Sequence, residues 1–138
     1  MINIKVKREK MNAVFTKHHL KGLPFDAVLH QFSEKDMNEH IHDHPFGFTT
    51  HILKGSYVER IYEIFEDGSY TSSEHHRKEG TSHFVPAETI HEITDLPDGE
   101  CFTIITPNAW EKETYFYRFE NGKAYKRRWN QRKFRNII

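Results

Sequence analysis

The sequence predicts an all-β domain, a sandwich or barrel of roughly ten short strands. Three observations carry this. Short runs alternate apolar and polar residues with the period of a strand. Turn-forming residues interrupt them about every 8–12 positions, and no amphipathic helix of more than three turns can be drawn. The apolar content is modest at 36%, but 11 Phe, 6 Tyr and 2 Trp supply large surfaces, so the core is expected to be aromatic.

Taken in order, Ile2, Ile4 and Val6 alternate with Asn3, Lys5 and Lys7. The stretch from Lys10 to Leu23 shows no clear period and is expected to form an irregular or short helical arm. Asp26 to Phe32 carries Val28, Leu29 and Phe32, and Phe48 to Leu53 is rich in β-formers and stops at Gly55. Tyr57 to Phe65 runs into Asp67-Gly68, a hairpin signal because both residues tolerate positive φ. Phe84-Val85, Thr89 to Thr94 and Phe102 to Thr106 follow. Asn121-Gly122 then joins Tyr115–Phe119 to Ala124–Trp129 in a second hairpin. Residues 126–135 form a basic tail, expected to be solvated. The 138 residues fit one domain, with its core expected over residues 26–119.

Twenty basic and 20 acidic residues cancel, so no global field draws the chain to nucleic acid or an anionic membrane. The single cysteine, Cys101, excludes an internal disulfide and is expected to be a small packed residue. No apolar run approaches the roughly 20 residues that cross a bilayer. With no leader pattern visible, a soluble protein of the reducing cytoplasm is expected.

Histidine is the outlier, with 11 copies. Three stand in the string His40-Ile41-His42-Asp43-His44-Pro45-Phe46. In an extended strand alternate side chains share a face, so His42 and His44 would point the same way about 7 Å apart and could converge on one ion. His91 is the best candidate for a third imidazole ligand. His40, a further step along, is expected at the loop entrance, orienting the others or facing solvent. His51, His75, His76 and His83 have no motif position and are expected to be superficial or structural.

Together these segments resemble the two motifs of the cupin superfamily. The first matches as His42-Asp43-His44, then Pro45-Phe46-Gly47, Phe48 and six residues to Gly55; the second as Gly80, five residues, Pro86-Ala87-Glu88, two residues, His91, three residues and Asp95. Phe48 stands where most cupins carry a Glu ligand, Glu88 replaces a Gly and Asp95 an Asn. The Ile41-to-His44 string and the missing Glu are closest to the three-histidine cupins typified by cysteine dioxygenase. This implies a double-stranded β-helix jelly roll, with one divalent metal held by His42, His44 and His91. Fe2+ is favoured, with Zn2+, Ni2+ or Mn2+ as alternatives, and the implied reaction is oxygenation of a small molecule. The resemblance thins at Thr103 and Ile105, which occupy places where those enzymes carry His and Tyr. A metal-dependent lyase or isomerase, or a non-catalytic ligand-binding cupin, are the rival readings.

Phe46, Phe48 and Trp110 are expected in the core or pocket wall, and Tyr57 and Thr103 are pocket candidates. Glu59 and Arg60 lie on the strand after Gly55, where charged residues usually form the solvated face. Jelly rolls commonly pair through edge strands, so a homodimer with a small-molecule ligand is expected.

Overall fold

The computed structural model describes residues 4–11, 15–33 and 41–137, and among these there is no helix, so none long and apolar enough to cross a membrane. His40 lies outside the described residues. Thirteen strands among the described residues form two antiparallel sheets. The first contains β1 (Lys5–Lys10), β2 (Phe15–Lys21), β3 (Ala27–Phe32), β5 (Phe48–Lys54), β8 (Ser82–Val85) and β10 (Cys101–Pro107), in the order β1-β2-β3-β10-β5-β8. The second contains β4 (Ile41–His42), β6 (Tyr57–Ile64), β7 (Tyr70–Arg77), β9 (Ile90–Asp95), β11 (Tyr115–Glu120), β12 (Lys123–Arg128) and β13 (Arg135–Asn136), in the order β13-β12-β11-β4-β9-β6-β7. Successive strands thus alternate between sheets along much of the chain, which is jelly-roll connectivity.

The turn residues act as their chemistry dictates. Asn121 and Gly122 take φ of 52° and 73° at the β11–β12 hairpin, the left-handed pair that suits the twist of its strands. Gly55 takes φ of 78°, and a Cβ there would meet the Glu100 carbonyl oxygen at 2.6 Å, so the β5–β6 turn is closed to other residues on two counts.

Two apolar clusters fill the space between the sheets. Phe48, Val85 and Ile105 pack with Val28 and Phe46; Ile52, Tyr57 and Cys101 pack with Phe32, Ile93 and Leu96. Burial pushes the Cys101 thiol up to about 11, in keeping with a packed residue rather than a nucleophile.

Three expectations need correction. The Lys10–Leu23 stretch is neither irregular nor helical over Phe15–Lys21, which forms β2 between β1 and β3. Its strand character comes from pairing on both sides, since the segment itself has few apolar residues to mark a period. Trp110 is 65% exposed rather than a core or wall residue. Glu59 is not on the solvated face; it is 1% exposed, because the alternation that buries Tyr57 also turns Glu59 inward.

Candidate metal centre

The site is assembled from the short strand β4, the loop after it, and β9. His42 and His91 are direct cross-strand partners, so their side chains leave the same face of the sheet. The strand expected to carry both His42 and His44 ends at His42. His44 follows in a loop and is fixed instead by its backbone N–H, which donates to the Ala87 carbonyl at 2.9 Å.

Asp43, between the two histidines, holds this loop in place. It is 3% exposed, and its carboxylate accepts from the Tyr115 N–H, the Tyr117 hydroxyl and the Lys112 ammonium, each at 2.8 Å. Its own N–H donates to the Tyr115 carbonyl at 3.1 Å. The middle residue of the His-Asp-His string thus ties β4 to β11 while the imidazoles on either side turn away from it. Burial and the Asp43 charge raise the Tyr117 hydroxyl above its ordinary range, so it stays a donor.

The three imidazoles converge. One nitrogen from each of His42, His44 and His91 lies within 4.8 Å of the others. Their ring centroids are 5.0 Å apart for His42–His44, 5.1 Å for His42–His91 and 4.6 Å for His44–His91. The Nε2 atoms of His44 and His91 are 3.0 Å apart. That is a hydrogen-bond distance, and it is also the separation of two nitrogens each about 2.1 Å from one ion and at right angles about it. Burial first, then neighbouring His91 and His42, holds the His44 imidazole well below its ordinary pKa and keeps it in the neutral form that ligates metals. The buried Nδ1 atoms of His44 and His91 have no hydrogen-bond partner, a feature that buried polar atoms rarely show without a function. The donor set and its geometry fit a divalent ion.

Behind His91 is a second polar group that the histidine motifs do not announce. Glu59 Oε1 is 3.6 Å from His91 Nδ1, while Oε2 is 3.5 Å from Arg77 Nε and 3.9 Å from His83 Nε2. None of these meets a hydrogen-bond distance, and both carboxylate oxygens and Arg77 Nε lack partners. Burial alone would raise this carboxyl, but His91, Arg77 and His83 outweigh it and bring it down to about 2. His83, expected to be superficial or structural, is half-buried, and burial followed by the Arg77 charge pushes it down to about 4. The signal for Glu59 was its parity with Tyr57 in Gly55-Ser56-Tyr57-Val58-Glu59.

The other candidates divide. Phe48 is 7% exposed, its ring nearly perpendicular to that of His44 with centroids 4.9 Å apart, so an aromatic side chain adjoins the imidazoles where an acidic ligand is absent. Phe46 packs beside Phe48 at 6.3 Å. Thr103 is buried on β10, a cross-strand partner of His30. Tyr57 sits deeper, in the cluster with Ile52 and Cys101, its hydroxyl 3.4 Å from His83 Nε2. His30 was not foreseen. Burial pushes it down to about 3, and its buried Nε2 has no partner. A depression of about 580 Å³, lined by Arg60, Tyr62, Tyr70, Tyr117 and Phe119 among others, includes Ile41 and so lies on the sheet face opposite His42.

No protein-family model and no curated protein matches the chain. Solved structures do. Hydroxypropylphosphonic acid epoxidase from S. wedmorenis aligns with a TM-score of 0.58 and 13% identity over 78% of this chain and 59% of its own. The capsular polysaccharide assembling protein CapF from Staphylococcus aureus aligns with a TM-score of 0.59 and 14% identity over 78% of this chain and 29% of its own. A protein of unknown function, DUF1255, from Acinetobacter sp. ADP1 aligns with a TM-score of 0.54 and 13% identity over 78% of this chain and 94% of its own. At such identities the likeness is one of fold: a cupin-type jelly roll, which spans little more than half of the epoxidase and under a third of CapF.

Proposed function

We propose that His42, His44 and His91 hold one divalent metal ion, Fe2+ in first place, and that the protein uses it to oxygenate a small molecule. The observation that carries this reading is the convergence of three imidazole nitrogens within 4.8 Å, with His44 buried and neutral. When bound, Fe(II) supplies Lewis acidity and reactivity toward O2, and three neutral ligands leave it both positive charge and open coordination positions. Support for iron and for a small ligand comes from similar folds: Fe(II)-HppE, which aligns with a TM-score of 0.53 and 13% identity, has been solved with an alternative substrate, and CapF with the inhibitor 3-isopropenyl-tropolone.

The chain's own residues do the rest. Asp43 keeps the two motif histidines in register with β11. Phe48, backed by Phe46, Val28, Val85 and Ile105, presents an apolar wall that keeps water from one side of the imidazoles. This wall also limits the chemistry. Thr103 and Ile105 are both buried on β10, and neither a short hydroxyl nor an alkyl group can replace a His–Tyr pair in orienting a thiol and oxygen.

The test is metal analysis of protein purified without added metal, followed by oxygen uptake after anaerobic Fe(II) loading against a panel of small chelating substrates. Substrate-dependent uptake that is lost in His91→Ala is expected. Metal binding without uptake on any substrate would remove the oxygenase assignment. In the same assay free cysteine should yield sulfinate at least about 10²-fold more slowly than a competent thiol dioxygenase. A robust cysteine sulfinate yield would contradict the role given to Thr103 and Ile105.

A further inference from the structure

Glu59 is the most buried charged side chain among the described residues, at 1% exposure, yet neither of its oxygens has a hydrogen bond. A buried carboxylate without hydrogen bonds is costly, and the inward positions on either side of it on β6, Tyr57 and Ile61, show that apolar groups fit this face. Packing alone therefore gives no reason for an acid here. What the carboxylate faces does. Oε1 looks onto Nδ1 of His91 at 3.6 Å, and Oε2 is flanked by Arg77 Nε at 3.5 Å, with His83 Nε2 beyond at 3.9 Å.

We propose that Glu59 is the positioning residue for His91. Two arrangements of that imidazole exist when it is neutral. With the proton on Nε2, the Nδ1 lone pair would face a carboxylate oxygen, acceptor against acceptor. With the proton on Nδ1, an N–H points at Glu59, and the Nε2 lone pair points at the Nε2 of His44, 3.0 Å away. Glu59 selects the second. Arg77 anchors the far oxygen, so the carboxylate is held by one cation while it orients the ring. The group also places one negative charge directly behind a set of three neutral ligands. This inference rests on the reading that the imidazoles hold an ion, but the tautomer it requires belongs to the metal-free protein as well.

The experiment therefore has two readouts. Long-range nitrogen–proton NMR of the metal-free protein at pH 8 reports the tautomer of His91, and Zn(II) competition titration reports affinity, in the wild type and in Glu59→Leu and Glu59→Gln. The wild type should show His91 protonated on Nδ1. In Glu59→Leu the Nε2–H form should appear and Zn(II) affinity should fall 10–100-fold, the usual range for losing such a partner. The Leu variant also strips Arg77 of its counter-charge, so its thermal midpoint is recorded separately and the tautomer is read only on folded protein. Glu59→Gln keeps an acceptor for Nδ1–H, so it should retain the tautomer and lose no more than about tenfold in affinity. If Glu59→Leu fails to fold, the wild-type tautomer and Glu59→Ala, which also removes the acceptor, still decide. His91 protonated on Nε2 in the wild type, or wild-type affinity and tautomer in both variants, would overturn the proposal. A wild type that binds no Zn(II) but carries the Nδ1–H tautomer would remove the metal reading and leave Glu59 as the group that orients His91.

Discussion

Two buried carboxylates flank the imidazole cluster, and their surroundings differ. Asp43 has three donors at 2.8 Å, one of them a cation. Glu59, buried to the same degree, has three neighbours at 3.5–3.9 Å and no hydrogen bond. The first is a closed structural joint between β4 and β11. The second belongs to a buried interior whose polar groups are unsatisfied, with the unpartnered nitrogens of His30, His44 and His91 in the same core. Satisfied polar groups specify a fold, whereas unsatisfied ones raise its free energy and persist where something else needs them.

Acid should separate the two sides most strongly. His30, His44 and His83 are held neutral by burial, with folded pKa values below the ordinary value of 6.5. The unfolded chain therefore binds more protons than the folded one below about 6.5, and stability falls as pH falls. Each such histidine contributes about 1.4 kcal/mol per pH unit within its window, which continues to about 3 for His30 and about 4 for His83. Glu59 acts in the same direction between its ordinary 4.5 and about 2. Denaturant unfolding of the metal-free protein at pH 7 and pH 5 should differ by on the order of 6 kcal/mol. Flat stability over that range would mean that the interior histidines are not held neutral.

Next in size is the closed joint itself. Asp43→Ala removes a charge-assisted acceptor from three donors and should cost about 2–4 kcal/mol, read as a lowered unfolding midpoint. A smaller loss than that of Glu59→Leu would invert the comparison.

The smallest effect tests the apolar wall. Phe48→Glu should raise Zn(II) affinity about tenfold by adding an anionic fourth ligand to the three histidines. It should also lower the stability of the metal-free protein, because an unpaired charge enters the Phe48–Val85–Ile105 cluster. Unchanged affinity by calorimetry would show that position 48 does not face the ion.

The comparison also explains what could be read from sequence. The histidine cluster was legible because its members sit in two local strings whose spacing is fixed by strand and turn lengths. His42 and His44 still come together although β4 stops at His42, since the backbone N–H groups of Asp43 and His44 tie the loop to Tyr115 and Ala87. The all-β class was legible from period and turns. What was missed depends on pairing across the fold. The segment Phe15–Lys21 becomes a strand through its neighbours on both sides, and Trp110 lies in a connection that packs outward. The burial of Glu59 follows from strand parity, but a charged residue on a strand is ordinarily solvated, so local chemistry argued against the inward reading. Arg77 lies on the second arm of the hairpin that Asp67-Gly68 announces, but His83 comes from β8 in the other sheet, an adjacency that no motif records.

The central claim is that three imidazoles share one ion, and cobalt titration tests it most directly. Protein stripped of metal and titrated with Co(II) should saturate at one equivalent, with a visible spectrum of a nitrogen-ligated centre. His42→Ala, His44→Ala and His91→Ala should each abolish saturation at the same concentration, while His76→Ala, exposed on β7, should leave it unchanged. A saturating one-equivalent site that survives all three substitutions, or no site in the wild type, would contradict the account.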